Sequence, residues 1–301
     1  MKVSKHHIVL SSLGICLLCL GVLAYGIYFT PAPSLWGKTS FSAAYYDRNN
    51  TLLRLTLSED ESYRLYTPLE EISPELIEAT LLQEDRYFYT HPGVNPVSLL
   101  RGAYATYSRR SRSIGGSTIS MQVVRLRDQM QTQDIWGKLI QIYQALRLDA
   151  HYSKKDILEA YLNLAPYGGN IYGAGTASLI YFKQPVKTLP MPQSLALAVI
   201  PQNPVKRYPL RADNSPWQQA KKRLFNQFPA NKYEQYAPYI GMKITAFSRD
   251  DLPFLAPHFI DGLDQKSKEG QIETTLDISL QQRLEGRIQS YLQRKKHLGI
   301  D

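Results

Sequence analysis

The sequence predicts a mainly α-helical fold, preceded by a small β-hairpin region and an N-terminal transmembrane helix. Three observations carry this. Residues 8–29, IVLSSLGICLLCLGVLAYGIYF, contain no charged side chain, and that length suffices to cross a hydrocarbon core. Between Ser73 and about Phe228, capping residues and helix stops recur around apolar helical patterns. Period-two alternation is concentrated in residues 43–66, around the turn residues Asn49 and Asn50.

In chain order, Lys2 and Lys5 precede the apolar run, and Tyr25, Tyr28 and Phe29 lie at its far end, where aromatic side chains favour the interface. The positive-inside rule makes residues 1–7 a cytoplasmic tail and 8–29 the anchor, with everything after Thr30 outside. A cleaved signal peptide is the alternative, since Ala24-Tyr25-Gly26 loosely resembles a cleavage site. Residues 30–72 hold a juxtamembrane linker and the hairpin. A helical domain over 73–250 begins with Ser73 as N-cap, Pro74 at the first helical position and Glu75 as an early acid. His91-Pro92-Gly93 is expected to end that helix. NPVSLLRGAYATY is the next helix, followed by a basic small-residue loop holding Arg109, Arg110 and Arg112. Ser117 opens another helix after Gly115-Gly116, and Asp134 opens one running to about His151. Ser153 to Asp156 reads as a capping box. Residues 166–175 are glycine-rich turns, 191–204 an apolar helix stopped by prolines, and Trp217 to Phe228 a basic helix. Residues 251–301 read as the start of a truncated further region, an extended segment followed by a helix capped near Asp277.

A chain of 301 residues with 44% hydrophobic and 20% charged content is folded rather than disordered. The net charge of +9 calls for an anionic partner or, alternatively, a generally basic surface. Both cysteines, Cys16 and Cys19, lie in the apolar run, so the exported part has no disulfide, zinc-thiolate site or thiol nucleophile. His91, His151, His258 and His297 form no His-x-x-x-His pair, which argues against a histidine-built metal centre. An exported, membrane-held chain is a poor candidate for nucleic acid, so anionic lipid or a phosphorylated substrate moves ahead.

LLQEDRYFYTHPG, residues 81–93, places Glu84 on the helical face shared by Ile77, Leu81 and Phe88. Burial there raises a carboxyl pKa unless a cation offsets it, which suits a general base or acid. Two bland alternatives stand beside this: a buried Glu satisfied by Arg86, His91 or a helix end, and a Glu that faces water. GGSTISMQVVRL, residues 115–126, offers free N–H groups and hydroxyls at a helix start, with Arg125 two turns along. It reads as an anion site or as a plain N-cap after a loop. The arginine loop, with Tyr104 and Tyr107, lies on a membrane surface or is simply solvated.

Taken together, these stretches resemble the family 51 peptidoglycan glycosyltransferases, the glycosyltransferase module of bifunctional penicillin-binding proteins. EDRYFYTHPGV resembles the family's E-D-x-x-F-x-x-H-x-G, GGSTISMQVVRL its G-x-S-T-I-T-Q-Q block, and SKKDILEAYLN its K-x-x-I-L-E-x-Y-L-N. YGGNIYGAGTASLIYF and ALAVIPQNP resemble the later blocks, and Met121 resembles the 1C branch. The resemblance covers about Tyr46 to Phe228, and the tail resembles the lead-in to a transpeptidase domain. It implies a lysozyme-like helical domain that polymerises lipid II into β-1,4 glycan with inversion, releasing undecaprenyl pyrophosphate. Glu84 then matches the general base, supported by Asp85, Phe88, His91 and Gly93. Ser117, Thr118, Gln122, Arg125, Lys138, Gln141, Lys154 and Glu159 match substrate-binding positions, with Lys138 toward the pyrophosphate and Asn163 following the fourth motif. No protein metal site is implied, and a divalent cation, Mg or Mn, stays open.

Three positions depart from the family pattern. Arg125 stands where lysine is usual, Gly137 where arginine is, and Gln141 where many members carry a second glutamate. No Ser-x-x-Lys, Ser-x-Asn or Lys-Thr-Gly motif occurs, so transpeptidase activity is not expected from this chain. The implied partners are lipid II, the growing glycan strand, the membrane and other cell-wall synthesis proteins. The implied location is the bacterial inner membrane, single-pass, with the catalytic domain on the periplasmic side. The rival readings are a wall-cleaving enzyme, which also uses a Glu in a helical domain, and a non-catalytic scaffold or glycan-binding module.

Overall fold

A computed structural model describes residues 5–109, 116–132, 134–211, 214–242, 244–264 and 270–296. The chain forms two compact units, Met1–Lys38 with Leu81–Leu164, and Thr39–Thr80 with Ala165–Asp301. The expectation of a mainly helical fold holds.

In the first unit lie α1 (Lys5–Tyr28), the end of α2 (Pro74–Glu84), α3 (Pro96–Arg109), α4 (Ile119–Arg127), α5 (Ile135–His151) and α6 (Lys154–Leu164). Helix α4 is the centre: Ile119 to Val124 are all buried, and α4 packs on both α5 and α6. The opposing faces bring Ala145 and Leu148 from α5 and Ile157, Leu158 and Tyr161 from α6, all buried. Asp134 caps α5, its Oδ1 accepting from the Gly137 N–H at 3.1 Å. Ser153 and Asp156 cap α6 reciprocally, at 3.0 and 3.2 Å.

One helix start and one stop differ from the sequence reading. The α4 N-cap is Thr118 rather than Ser117, because the Thr118 hydroxyl takes the Met121 N–H at 3.2 Å. Helix α2 stops at Glu84, not at His91–Gly93, and Phe88–Thr90 form a separate 3₁₀ turn. Its fully covered stripe is Leu76, Ala79 and Thr80. Ile77, Leu81 and Glu84 are only half-buried, so their face does not belong to the closed core.

Helix α1 runs over the expected anchor and packs along α5; its side chains are described from Leu13 onward, where Leu13, Ile15, Leu17, Leu18 and Leu20 are exposed. Among the described residues no helix is long and apolar enough to cross a membrane. The segment leaving α1 is strapped to α5 through its main-chain carbonyls. His151 Nε2 approaches the Thr30 carbonyl at 2.9 Å, Arg147 donates to that of Pro31 at 2.8 Å, and the Tyr152 hydroxyl to that of Pro33 at 2.7 Å. Arg127, at the end of α4, donates to the Ser34 carbonyl at 2.7 Å.

In the second unit, the expected hairpin is β1 (Ala43–Tyr46) and β2 (Leu52–Leu55), antiparallel with Ala44 opposite Leu55. Asn50, at φ 61, makes the turn. The short β3 (Pro166–Gly168) and β4 (Ile171–Tyr172) form from the glycine-rich stretch. Helices α7 (Ala174–Phe182), α8 (Met191–Ala198), α9 (Ser215–Phe225) and α10 (Ala230–Ile240) follow. The buried Trp217 of α9 donates to the Ala196 carbonyl of α8 at 2.8 Å. After α11 (Pro257–Asp264), β5 (Gly270–Glu273) joins β1 in parallel, so the hairpin becomes a three-stranded sheet of order β2-β1-β5. The helix capped by Asp277 is α12 (Ile278–Lys295).

Candidate active site

The site-bearing residues gather in the first unit, around the N-terminal half of α4. Glu84 is the last residue of α2, and its Oε2 accepts from the Gln122 side-chain amide at 2.9 Å. Gln122 stands on α4, so the carboxylate of half-buried Glu84, its Oε1 covered, is held against the best-buried helix of the unit. This joins the two sequence motifs 38 residues apart.

The next residue behaves differently. Asp85 is 8% exposed. His91 Nε2 donates to both of its oxygens, at 3.1 and 3.0 Å, and the Ile119 N–H donates at 3.0 Å. A carboxylate at the first N–H of α4 is favoured by the helix dipole. Thr118 adds its hydroxyl to the Gly93 carbonyl at 2.6 Å. Gly93 is at φ +79, and a Cβ there would meet the Ala145 carbonyl oxygen at 2.5 Å, so only glycine brings the loop this close to α5. Phe88 is fully buried. Asp85, Phe88, His91, Gly93 and Thr118 therefore brace residues 85–93 onto α4 and α5, beside half-buried Glu84.

Lys154 faces inward. Its ammonium donates to the His91 carbonyl and to Asp149, each at 2.6 Å, and sits 4.7 Å from the Phe88 ring centre. These contacts tie Lys154 to the 85–93 loop and to α5. Asp149, which also accepts from Ser120 at 3.1 Å, is a member of the frame that sequence reasoning missed. No local pattern marks it, because its partners come from α4 and α6.

A basic cluster lies along the same helix. Lys138 of α5 donates to Ser117 Oγ at 2.8 Å and to Gln141 Oε1 at 3.0 Å. Gln141, 1% exposed, donates to the Met121 carbonyl at 2.7 Å. The glutamine thus keeps one hydrogen bond that a glutamate could accept and adds one that a glutamate could not donate. It leaves the Lys138 charge without a carboxylate at that position. Burial, then the nearby Arg125 charge, push the Lys138 ammonium below the ordinary lysine value. Arg125 itself is exposed. Gly137 has no room for the arginine usual in the family, since a Cβ would meet the Gln131 carbonyl and would lie 2.6 Å from Asp134.

Glu159 is half-buried on α6, and its carbonyl accepts from the Asn163 amide at 2.9 Å. Arg109 closes α3, but its side chain, with Arg110 and Arg112, lies outside the described residues. Among the described residues no three His, Cys, Asp or Glu side chains converge for a metal ion. The divalent cation left open has no such ligand set in the described part of the chain, and no step below is drawn through one.

The family model described as Transglycosylase matches residues 48–228. Penicillin-binding protein 1C of Escherichia coli K12 is 37% identical over 239 residues, covering 77% of this chain and 30% of that protein. A biosynthetic peptidoglycan transglycosylase of Pasteurella multocida is 37% identical over 140 residues, covering 46% of this chain and 56% of that protein. A crystal structure of penicillin-binding protein 1A from Haemophilus influenzae is matched at 17% identity and TM-score 0.39, over 80% of this chain and 28% of that one, and this likeness carries no argument. The chain spans less than a third of the length of penicillin-binding protein 1C. With the family model matched over more than half its length, the chain belongs to the transglycosylase family, the family 51 glycosyltransferases, and resembles penicillin-binding protein 1C.

Proposed function

We propose that this chain polymerises lipid II into β-1,4 glycan strands, with Glu84 as general base and undecaprenyl pyrophosphate as leaving group. The observation that carries the reading is the pairing of two unlike groups along α4. The Glu84 carboxylate accepts from Gln122 of α4, and two cations, Arg125 on α4 and Lys138 on the adjacent α5, stand near each other. A carboxylate at a cleft rim takes the proton of the acceptor 4-hydroxyl as that oxygen bonds to the donor's anomeric carbon. The carbon–oxygen bond to the pyrophosphate breaks, and its electron pair leaves with the phosphate. Preorganised positive charge stabilises that leaving group, and Lys138 is preorganised by Ser117 and Gln141. Gln122 orients Glu84, and the Asp85–His91 pair sets the loop that follows it. A lysozyme-like helical core fits this arrangement.

Such a donor stays in the bilayer through its lipid tail. We therefore assign α1 as a membrane anchor in the bacterial inner membrane, with the site on the extracytoplasmic side, consistent with the positive flank before it. The test is incubation of the full chain with labelled lipid II, followed by separation of polymer from substrate. Polymer that disappears with Glu84→Gln supports the reading. Cleavage of finished glycan, or no turnover with intact glycan binding, overturns it.

A further inference from the structure

Gln141 decides what kind of charge stands beside Lys138. It is 1% exposed, and the two ends of its amide are committed in opposite senses. Oε1 accepts from the Lys138 ammonium at 3.0 Å, and Nε2 donates to the Met121 carbonyl at 2.7 Å. An ammonium only donates and a carbonyl only accepts, so these partners fix the amide's orientation. A carboxylate in the same place would keep the first contact and set an oxygen against a carbonyl oxygen in the second. The position is built for a neutral side chain.

Acids are scarce around it. From Arg86 to Arg127 the sequence contains no Asp or Glu, so α4 has none. Helix α5 carries one, Asp149, about three turns beyond Lys138, and that residue is bound to Lys154 and Ser120. Asp134, at the start of α5, accepts from the Gly137 N–H. Arg125, by contrast, lies near enough to Lys138 to disfavour its charge. A hard divalent cation takes oxygen ligands, with carboxylates foremost among the protein's own. Here it would meet two like charges and a neutral amide. A pyrophosphate meets the reverse, charged donors to its oxygens, with the Ser117 hydroxyl held on Lys138 at 2.8 Å. We propose that this chain takes the donor's pyrophosphate as the metal-free anion, its charge met by Lys138 and Arg125, and that Gln141 excludes a divalent cation by keeping its position neutral. This rests on the polymerase reading for the place of the leaving group.

The test is calorimetric titration of the full chain in detergent with inorganic pyrophosphate, in EDTA and in excess Mg²⁺, beside lipid II polymerisation in the same two buffers. Pyrophosphate should bind at least as tightly in EDTA, since Mg²⁺ cancels part of the ligand's charge before it meets Lys138. Lys138→Gln should remove that binding, which a generally basic surface would retain. Gln141→Glu pairs Lys138 with a carboxylate, so affinity in EDTA should fall about 10–100-fold, with part of it regained in Mg²⁺. Binding or polymerisation that needs Mg²⁺ in the unaltered chain overturns the proposal, as does no binding in either buffer. A folded Gln141→Glu that binds in EDTA like the unaltered chain overturns the part given to Gln141. Should that variant not fold, the unaltered chain in the two buffers still decides whether the anion is taken without metal. Pyrophosphate bound in EDTA with no polymer in either buffer supports the metal-free site and counts against the polymerase reading.

Discussion

The end of α2 and the turn that follows it place two carboxylates side by side in unlike surroundings. Glu84 is half-buried and accepts a hydrogen bond from the uncharged amide of Gln122. Asp85 is closed off from water and takes its hydrogen bonds from His91 and from the first N–H of α4. A carboxylate that already accepts from a buried imidazole and from the first N–H of a helix has little capacity left for a substrate proton. On the proposed reading, Glu84 carries the chemistry and Asp85 the architecture.

The comparison can be broken most directly at Glu84. Glu84→Gln keeps the shape and removes the base, so polymerisation should fall by about 10²–10⁴ with the melting temperature nearly unchanged. A folded variant with normal turnover would remove Glu84 from the chemistry. Asp85→Ala should do the reverse in kind. It leaves His91 and the α4 start without their partner, at a cost of about 3–5 kcal/mol, read as a lowered urea midpoint. If Asp85→Ala melts normally and only loses turnover, the assignment of roles between the two carboxylates is wrong.

Lys138 sharpens the same contrast from the leaving-group side. Lys138→Gln should lower turnover about 10²–10³-fold. Binding an anion needs the protonated amine, and burial with Arg125 holds its pKa below the ordinary lysine value. Pyrophosphate affinity should therefore weaken as pH rises through that lowered value, earlier than for an ordinary lysine. Lys138→Arg, which does not titrate in that range, should flatten this limb of a calorimetric pH series. The smallest effect is expected at Gly93→Ala, about 1–3 kcal/mol of strain from a left-handed residue pressed on the Ala145 carbonyl. It should appear as lost stability, with any residual folded protein still able to bind pyrophosphate.

Much of this was legible in the sequence where the signal is local. The caps at Asp134, Ser153–Asp156 and Asp277 stand where their spacing puts them. The α2 boundary was not legible. Leu81 and Phe88 keep helical spacing across a break, because a buried aromatic in a 3₁₀ turn leaves the same pattern as one in a helix. Strand β5 pairs with β1 from more than 200 residues away, and nothing local in GQIE announces a parallel partner. At the site, the motifs set Glu84 apart as base from Asp85 as support, but could not show that Gln122 donates to Glu84, or that Lys154 turns inward to Asp149. Those distinctions come from hydrogen bonds between elements, and spacing along one element carries no record of them.

The strap after α1 bears on how the protein can be handled. Arg127, Arg147, His151 and Tyr152 all contact main-chain carbonyls between Thr30 and Ser34, so the strap's side chains can vary while its path cannot. A shortened chain that begins after Lys38 strips four acceptors from α4 and α5, the helices that carry Gln122, Arg125, Lys138 and Gln141. A chain begun just before Thr30 loses the apolar run and keeps the brace on α4 and α5.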